Sequence, residues 1–261
     1  MAMKTISHTY KILPFVIFSL FSFSSKIMKE NEEEKVVTYF AKKKKICKAR
    51  KLTFPKTIVA PTDFSFEAKA QQVYNNIDST GFSMPEFKVF TKALKGFYAL
   101  KANKTFEKDI ITIIDFSLSS NTKRLWVIDL NNNKVLYHSL VAHGKNTGEE
   151  FATSFSNKAD SNKSSLGFYA TGETYDGKHG RSLRLDGLEN GMNNNARSRG
   201  VVVHSADYVS PTFIKKHKRL GRSEGCPALP EELALEIIDV IKDKSCLFMY
   251  HPSMSPINQI Y

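Results

Sequence analysis

The sequence predicts an α+β protein, mainly β with a few helices, in which a helical hairpin precedes a β-rich domain. Two observations support this class. Apolar residues recur with helical periodicity between residues 64 and 104, and from Ile110 onward the apolar segments become short and rich in β-branched residues. The 261 residues, 41% of them hydrophobic, are enough for one main domain and a smaller appendage.

Residues 1–25 are typical of a targeting segment, either a signal peptide or a signal anchor. Lys4 and Lys11 precede the apolar run Ile12–Phe23, which is shorter than a membrane span of about 20 residues. No Ala-x-Ala cleavage site follows, so membrane association through an uncleaved anchor stays open. We therefore expect an exported protein of the periplasm or cell envelope.

Two further segments precede the β-rich part. Residues 26–62 carry a run of glutamates and then a run of lysines, which predicts a charged flexible linker, or alternatively an electrostatic tether to a membrane surface. Residues 63–105 are predicted to form the helical hairpin. An apolar stripe begins at Phe66, Gly81 ends the first helix, and Pro85 lies in a capping box that opens the second.

Residues 106–261 are predicted to form the main domain. The asparagine-rich turn at residues 131–133 indicates a β-hairpin. The predicted strands are Ile110–Ile114, Leu125–Leu130, Val135–Ala142, Leu166–Tyr175, Ser182–Leu185, Val201–His204 and Cys246–Tyr250, and the one clear helix is Pro230–Lys242.

The segment from Gly221 to Pro227 combines residues that suit nucleophilic chemistry, and it follows the predicted strand that ends at His204. A cysteine attacks as its thiolate, and with a free pKa of about 8.5 it needs a base nearby at neutral pH. Gly225 permits close backbone approach, and a tight turn would direct the amides of Cys226 and of Gly225 or Glu224 at an oxyanion. We therefore predict Cys226 as nucleophile and His204 as base, against the alternatives of a structural thiol and a structural histidine.

The motif Ser223–Ala228 resembles that of the murein L,D-transpeptidases, a YkuD-like family whose members carry Ser-x-Gly-Cys-Pro-Ala. The predicted hairpin of residues 125–144 and the segment Ser164–Tyr169 resemble other parts of that family, so the likeness covers roughly residues 110–252. The resemblance implies a β-sandwich catalytic domain and peptidoglycan stem peptides as substrate. It also implies that the backbone carbonyl of Ser205 orients the imidazole of the base.

Two features depart from the family pattern. Many members carry arginine or asparagine two residues after the cysteine, where this chain has Ala228, so the contact to the acyl donor differs. The spacing between the histidine and the cysteine is also longer, and we expect the extra residues, Tyr208 to Leu220, to form a lid or rim beside the substrate.

Several other residues are candidates for substrate contacts. Ser223 would either hold the cysteine loop or touch substrate, and Arg222 would either pair with a substrate carboxylate or be a surface charge. His143 follows a predicted strand and would line the cleft or lie in a turn. Tyr208 would contribute from the predicted lid, and the polar stretch 186–199 is a substrate loop or a connection. We expect no cofactor and no metal, because the histidine and cysteine spacings match no zinc signature.

The three cysteines and the charge constrain the remaining interpretation. An odd number leaves at least one thiol free, although a disulfide between Cys226 and Cys246 is an alternative to the catalytic role. The net charge of +12 indicates an anionic partner or a solvated lysine-rich surface. Wall glycopeptide carries free carboxylates, whereas no nucleic-acid motif accompanies the charge, so we expect no nucleic acid.

Together these observations predict an exported cysteine transpeptidase. It would form a thioester with a peptidoglycan stem peptide and transfer the acyl group to an amine. The alternatives are an L,D-carboxypeptidase, in which water is the acceptor, and a cell-wall thiol peptidase that uses the same Cys226–His204 pair. A further alternative is a non-catalytic module that binds the cell wall.

Overall fold

The structure, a computed structural model, describes residues 62–254. The predicted signal segment and nearly all of the predicted linker therefore lie outside the described residues. Within residues 62–254, no helix is both long enough and apolar enough to cross a membrane.

Four helices and eight strands make up this described part of the chain. The helices are α1 (Thr62–Asn76), α2 (Phe87–Ala102), α3 (Pro211–His217) and α4 (Glu231–Ile241). The strands are β1 (Ile110–Asp115), β2 (Leu125–Asp129), β3 (Lys134–Ser139), β4 (Gly167–Gly177), β5 (Gly180–Gly187), β6 (Val202–Ser205), β7 (Ala228–Leu229) and β8 (Cys246–Tyr250). This composition confirms the predicted α+β class, including the helical hairpin ahead of the strands.

The eight strands form one sheet in the order β3-β2-β1-β8-β4-β5-β6-β7. β1 pairs antiparallel with β2 and parallel with β8, and β6 pairs parallel with β7. Beyond the end of β3, Ala142 bridges Ala228 and Gly144 bridges Ser223. The two edges of the sheet thus meet at the cysteine motif, so the strands predicted as a β-sandwich form a barrel-like sheet.

Each face of the sheet has its own apolar core, because side chains alternate between the faces along a strand. On one face, Leu125 and Val127 of β2 pack in a cluster with Ile238 of α4. On the other face, Trp126 and Ile128 pack in a cluster with the helical hairpin. The site described below lies where the first of these cores reaches the closed edge of the sheet, at Val203 and Leu229.

The hairpin contributes one side of the second core. Phe90 and Phe97 of α2 are fully buried, and the ring of Phe97 stacks on Phe106 with centroids 5.8 Å apart. The indole of Trp126 donates to the carbonyl of Ser83 between the two helices at 2.7 Å. The apolar stripes of the two helices are therefore packing surfaces that hold the hairpin on the sheet.

Helix α3 and strand β7 were not predicted. The hydroxyl of Ser210 caps α3 by accepting from the amide of Phe213 at 3.2 Å, and Pro211 opens the helix, yet none of its residues is buried. Without an apolar stripe, the helical periodicity that would reveal it is absent. β7 has only two residues, which is too short for an alternating pattern.

Candidate active site

The cysteine motif forms a loop that its own hydrogen bonds fix in place. The amide of Gly225 donates to Ser223 Oγ at 3.0 Å, and this hydroxyl donates to the carbonyl of Cys226 at 2.6 Å. Ser164 Oγ donates to the carbonyl of Gly225 at 3.1 Å and accepts from the amide of Gly144 at the same distance. Ser223 is only 6% exposed, and its hydroxyl is bonded within the loop. Of its two predicted roles, these observations favour holding the loop over touching a substrate.

Glycine is required at the residue before the cysteine. Gly225 has a φ of +128°, which side chains rarely tolerate, and a Cβ there would lie 2.8 Å from the carbonyl oxygen of Lys163. Gly144 packs against it from the other side, where a Cβ would lie 2.8 Å from Gly225 Cα. The two glycines therefore allow the segment after β3 and the cysteine loop to approach each other closely.

The imidazole of His204 is buried and oriented through one nitrogen. His204 pairs with Ala228 in the parallel register of β6 and β7, which places it beside the chain that carries the cysteine. Its Nδ1 lies 2.7 Å from the carbonyl oxygen of Ser205, so Nδ1 carries the proton and Nε2 keeps its lone pair. Burial lowers the pKa of this imidazole more than the Ser205 carbonyl raises it, which favours the neutral, basic form.

The thiol of Cys226 contacts the same strand. Its Sγ accepts from the amide of Val202 at 3.5 Å and lies 3.8 Å from the carbonyl oxygen of Gly200. Burial raises the pKa of the thiol, while the Val202 amide and the charge of Arg199 lower it and the carboxylate of Glu224 raises it. The Cys226 thiol and the His204 imidazole therefore both lie at β6. Burial favours the neutral form of each group.

Two amides of the cysteine loop remain for an oxyanion. The Gly225 amide is bonded to Ser223 Oγ, which favours Glu224 over Gly225, the two alternatives predicted to act beside Cys226 as oxyanion donors. Among the described residues, the backbone amides of Glu224 and Cys226 have no hydrogen-bond partner. These two amides are therefore the available donors of the loop.

Arg222 and His143, both predicted substrate contacts, are bonded within the fold. Arg222 donates to the carbonyls of Lys145 and Gly148 at 3.2 Å each and pairs with Glu149 at 2.6 Å, so its charge fastens the 145–149 loop. His143 is 1% exposed, accepts from the buried Arg124 at 2.8 Å and lies 3.2 Å from the Gly148 carbonyl. Burial and the Arg124 charge lower its pKa to about 4. Both ring nitrogens of His143 are therefore bonded within the fold, which favours the turn position over the substrate contact, the two alternatives predicted for it.

Tyr208 lies close to the cysteine. Its ring packs on Gly221, where a Cβ would lie 2.4 Å from the ring, and it belongs to a small apolar cluster with Leu220 and Ala228. Burial first, and then the negative charge of the Cys226 thiolate, raise the pKa of the phenol to about 12. The predicted substrate contact through Tyr208 stays a prediction that this position suits.

The polar stretch 186–199 mainly connects and braces the fold. Glu189 accepts from the amide of Phe168 at 2.7 Å, and Asn193 donates to the carbonyls of Leu166 and Phe168 at 2.9 Å each, so the stretch pins the start of β4. Its last residue, Arg199, donates to the carbonyl of Lys163 at 2.7 Å. The positive charge of Arg199 lowers the pKa of the Cys226 thiol. Only this end of the stretch reaches the site.

Sequence reasoning missed several of these contributors. Arg199 is followed by Gly200, which lies two residues before β6. An arginine next to a glycine is too common a pattern to mark Arg199 as part of a site. Arg124 is fully buried and donates to the carbonyl of Val141 and to His143, and burial lowers its pKa to about 9. No local pattern marks it, since its partners lie 17 and 19 residues away. His179 stacks on His204 with ring centroids 4.4 Å apart.

Cys246 does not compete with Cys226 for this role. Cys226 and Cys246 are both free, so the alternative of a disulfide between them is wrong. Cys246 is fully buried in β8, in agreement with its apolar strand pattern. Cys47 lies outside the described residues. Within residues 62–254, no three His, Cys, Asp or Glu side chains form a group that could hold a metal ion.

A loop-held thiol, an imidazole oriented through Nδ1 and two unbonded amides are the parts that thiol-dependent acyl transfer needs. Residues 83–250 match the family model of the L,D-transpeptidase catalytic domain. Because this match covers more than half of the 261 residues, the chain belongs to the L,D-transpeptidase catalytic domain family. The resemblance stated from the motif is thereby confirmed, whereas a comparison with curated protein sequences finds no match.

Solved structures of similar proteins include an L,D-transpeptidase from Mycobacterium smegmatis, at 15% identity and a TM-score of 0.35, over 55% of this chain and 59% of that one. A helical cell shape determining protein from Campylobacter jejuni has 13% identity and a TM-score of 0.39, over 57% and 49% of the two chains. An L,D-transpeptidase from Xylanimonas cellulosilytica has 13% identity and a TM-score of 0.32, over 71% and 93%. The chain thus spans less than two thirds of the length of the first two.

Proposed function

We propose that this protein is an exported cysteine transpeptidase that acts on peptidoglycan stem peptides. The observation that carries the proposal is the hydrogen bond between His204 Nδ1 and the Ser205 carbonyl at 2.7 Å, which leaves Nε2 as a base beside the strand that the Cys226 thiol contacts. The Ser205 carbonyl does the orienting work that a carboxylate does in other catalytic triads. Membership of the L,D-transpeptidase family supports the substrate class.

In the first half-reaction, His204 Nε2 takes the thiol proton and the sulfur lone pair forms a bond to the carbonyl carbon that joins an L-centre to the following D-residue. The carbonyl π electrons move to the oxygen, where the Cys226 and Glu224 amides stabilise the charge. Collapse of this intermediate breaks the C–N bond, and His204 returns the proton to the departing amine. The product is a thioester on Cys226.

In the second half-reaction, an acceptor amine attacks the thioester carbonyl while His204 takes the proton of that amine. Cys226 leaves as thiolate and recovers the proton, and the new amide is the crosslink. With water as acceptor, the same steps give an L,D-carboxypeptidase. The two outcomes share the thioester, so the acceptor decides between them.

The thioester is tested by intact mass of the full chain after incubation with a carbapenem, a β-lactam that this family is expected to trap as an acyl-enzyme. We expect one adduct in the wild type, none in Cys226→Ala and slow formation in His204→Ala. Cys47→Ser is the matched control and should react as the wild type does. A folded protein that forms no adduct would favour the non-catalytic wall-binding module instead.

Turnover is tested with a stem peptide in the presence and absence of an added amine. Amide product in the presence of the amine supports the transpeptidase, and hydrolysis alone supports the carboxypeptidase. A cleavage elsewhere in the peptide would favour a thiol peptidase.

Export rests on the apolar run Ile12–Phe23 after two lysines. We expect the protein in the envelope fraction of cells, either with a new N-terminus close to residue 25 or with the segment retained as an anchor. N-terminal sequencing of the fractionated protein distinguishes these two forms, and recovery of the intact chain from the cytosol would contradict export.

A further inference from the structure

The tip of the β4–β5 hairpin covers one face of the His204 imidazole. β4 ends at Gly177 and β5 begins at Gly180, so the tip consists of Lys178 and His179. The rings of His179 and His204 lie 4.4 Å apart between centroids, at an interplanar angle of 25°. An exposed side chain from a remote hairpin is thus stacked on the buried imidazole, and the mechanism above does not use it.

Ser205 joins the same hairpin tip to the base by a second contact. Its backbone carbonyl accepts from His204 Nδ1 at 2.7 Å, and its hydroxyl donates to the carbonyl of His179 at 3.2 Å. One residue therefore holds the imidazole edge through its main chain and the hairpin tip through its side chain. A displacement of the tip would disturb both the stacked face and the residue that orients Nδ1.

Electrostatic attraction contributes little to this placement. The pKa of Glu224 in the cysteine loop is lowered mainly by Lys145, whose charged group lies 3.0 Å away, and much less by Lys178 of the tip. The glycines that flank it, of which Gly180 has a φ of +72°, give it the tight turn that this placement needs.

We propose that His179 is a positioning residue, whose ring and carbonyl, held by the β4–β5 tip, keep the His204 imidazole in the orientation that presents Nε2 to Cys226. His179 needs no proton transfer of its own for this role, since a flat ring in stacking contact and a backbone carbonyl are sufficient. The inference rests on the proposed function in one respect, the assignment of His204 as the base of Cys226.

The test measures the rate at which iodoacetamide alkylates Cys226 in the full chain at neutral pH, followed by peptide mass so that Cys47 is counted apart. Alkylation requires thiolate and no stem peptide, so it reports on the Cys226–His204 pair independently of transpeptidation. The variants are His179→Ala, which removes the ring, and His179→Phe, which restores a flat ring. Ser205→Ala removes the hydroxyl and keeps the carbonyl, Lys178→Ala is the matched control on the tip, and His204→Ala sets the lower limit.

We expect His179→Ala to react roughly tenfold more slowly, a part of the 10²–10⁴-fold that a positioned base contributes. His179→Phe should recover most of the wild-type rate, Ser205→Ala should fall between them, and Lys178→Ala should react as the wild type does. Unfolding midpoints should be the same for the two His179 variants, because the side chain is exposed. Rescue by phenylalanine is the result that a merely structural effect of the tip would not produce.

Other outcomes would overturn the inference in distinguishable ways. A wild-type rate in His179→Ala, or a His179→Phe rate as slow as that of His179→Ala, overturns the positioning role alone. Equal rates in the wild type and His204→Ala overturn the base assignment together with this inference. The expected alkylation pattern without stem-peptide turnover leaves the positioning role intact and contradicts the transpeptidase instead.

Discussion

His143 and His204 lie on either side of the closed edge of the sheet, and they differ in what their ring nitrogens bind. In the sequence they are alike, since each lies at the end of a predicted apolar strand. In the structure His143 has both nitrogens in contact with polar partners, Arg124 and the Gly148 carbonyl. For His204 only Nδ1 has such a partner among the described residues. A free lone pair, rather than position at a strand end, therefore separates the candidate base from the structural histidine.

The largest expected effect tests whether His204 and His143 have separate roles. His204→Gln should slow carbapenem acylation by about 10²–10⁴-fold, the contribution of a positioned base. His143→Gln should leave the rate per folded molecule unchanged, because glutamine can accept from Arg124 and donate to Gly148. Stopped acylation followed by intact mass gives both rates. Equal losses in the two variants would show that the histidines do not have separate roles.

The sequence was sufficient for the longer elements and for the choice of Cys226 and His204 as candidates. Alternating and helical periodicities gave all the longer strands and three helices, and the Gly225–Cys226 motif marked the thiol. It was insufficient for the partners that assign each histidine its role. Arg124 reaches His143 through the pairing of β2 with β3, and His179 reaches His204 through the pairing of β5 with β6, and neither side-chain contact leaves a local pattern in the sequence.

The next effect is on stability. His143→Ala removes the acceptor of a buried arginine and the contact to the Gly148 carbonyl, so we expect the free energy of unfolding to fall by about 2–4 kcal/mol. Arg124 is fully buried, so bulk solvent does not reach the guanidinium that loses its partner. Urea unfolding of the variant measures the loss, with His143→Gln as the matched control that retains part of it. A loss below 0.5 kcal/mol, the usual range of surface substitutions, would show that the two contacts contribute little.

The same histidine predicts acid sensitivity. Its pKa falls from 6.5 in the unfolded chain to about 4 in the fold, so the unfolded state binds the proton more readily between these values. Stability from this group is complete above pH 6.5 and is lost as the pH falls towards 4. Between pH 7.5 and pH 5 the loss from His143 should be about 2 kcal/mol. Urea unfolding at several pH values measures it, and His143→Gln should have a flatter profile; an equally steep profile in that variant would assign the acid sensitivity to other groups.

The smallest effect is on the pKa of the Cys226 thiol, which is shifted mainly by burial, as the pKa of His143 is. Glu224 raises the pKa of Cys226 less than burial does, and its carboxylate is paired with Lys145 in a position 79% exposed to solvent. Glu224→Gln should therefore lower the pKa of the thiol only slightly, which a pH profile of Cys226 alkylation measures. Glu149→Gln, which removes a carboxylate that does not act on the thiol, is the control.

Salt distinguishes the effect of the Glu224 charge on the thiol pKa from the effect of burial. Added salt screens charges at an exposed site, so the difference between Glu224→Gln and the wild type should disappear near 1 M salt, where the screening length is about 3 Å. The contribution of burial does not depend on ions in solution, so the thiol pKa should stay above its ordinary value in both proteins. If the wild-type pKa instead fell to the ordinary value of a free thiol in salt, charge rather than burial would control Cys226, and the parallel with His143 would fail.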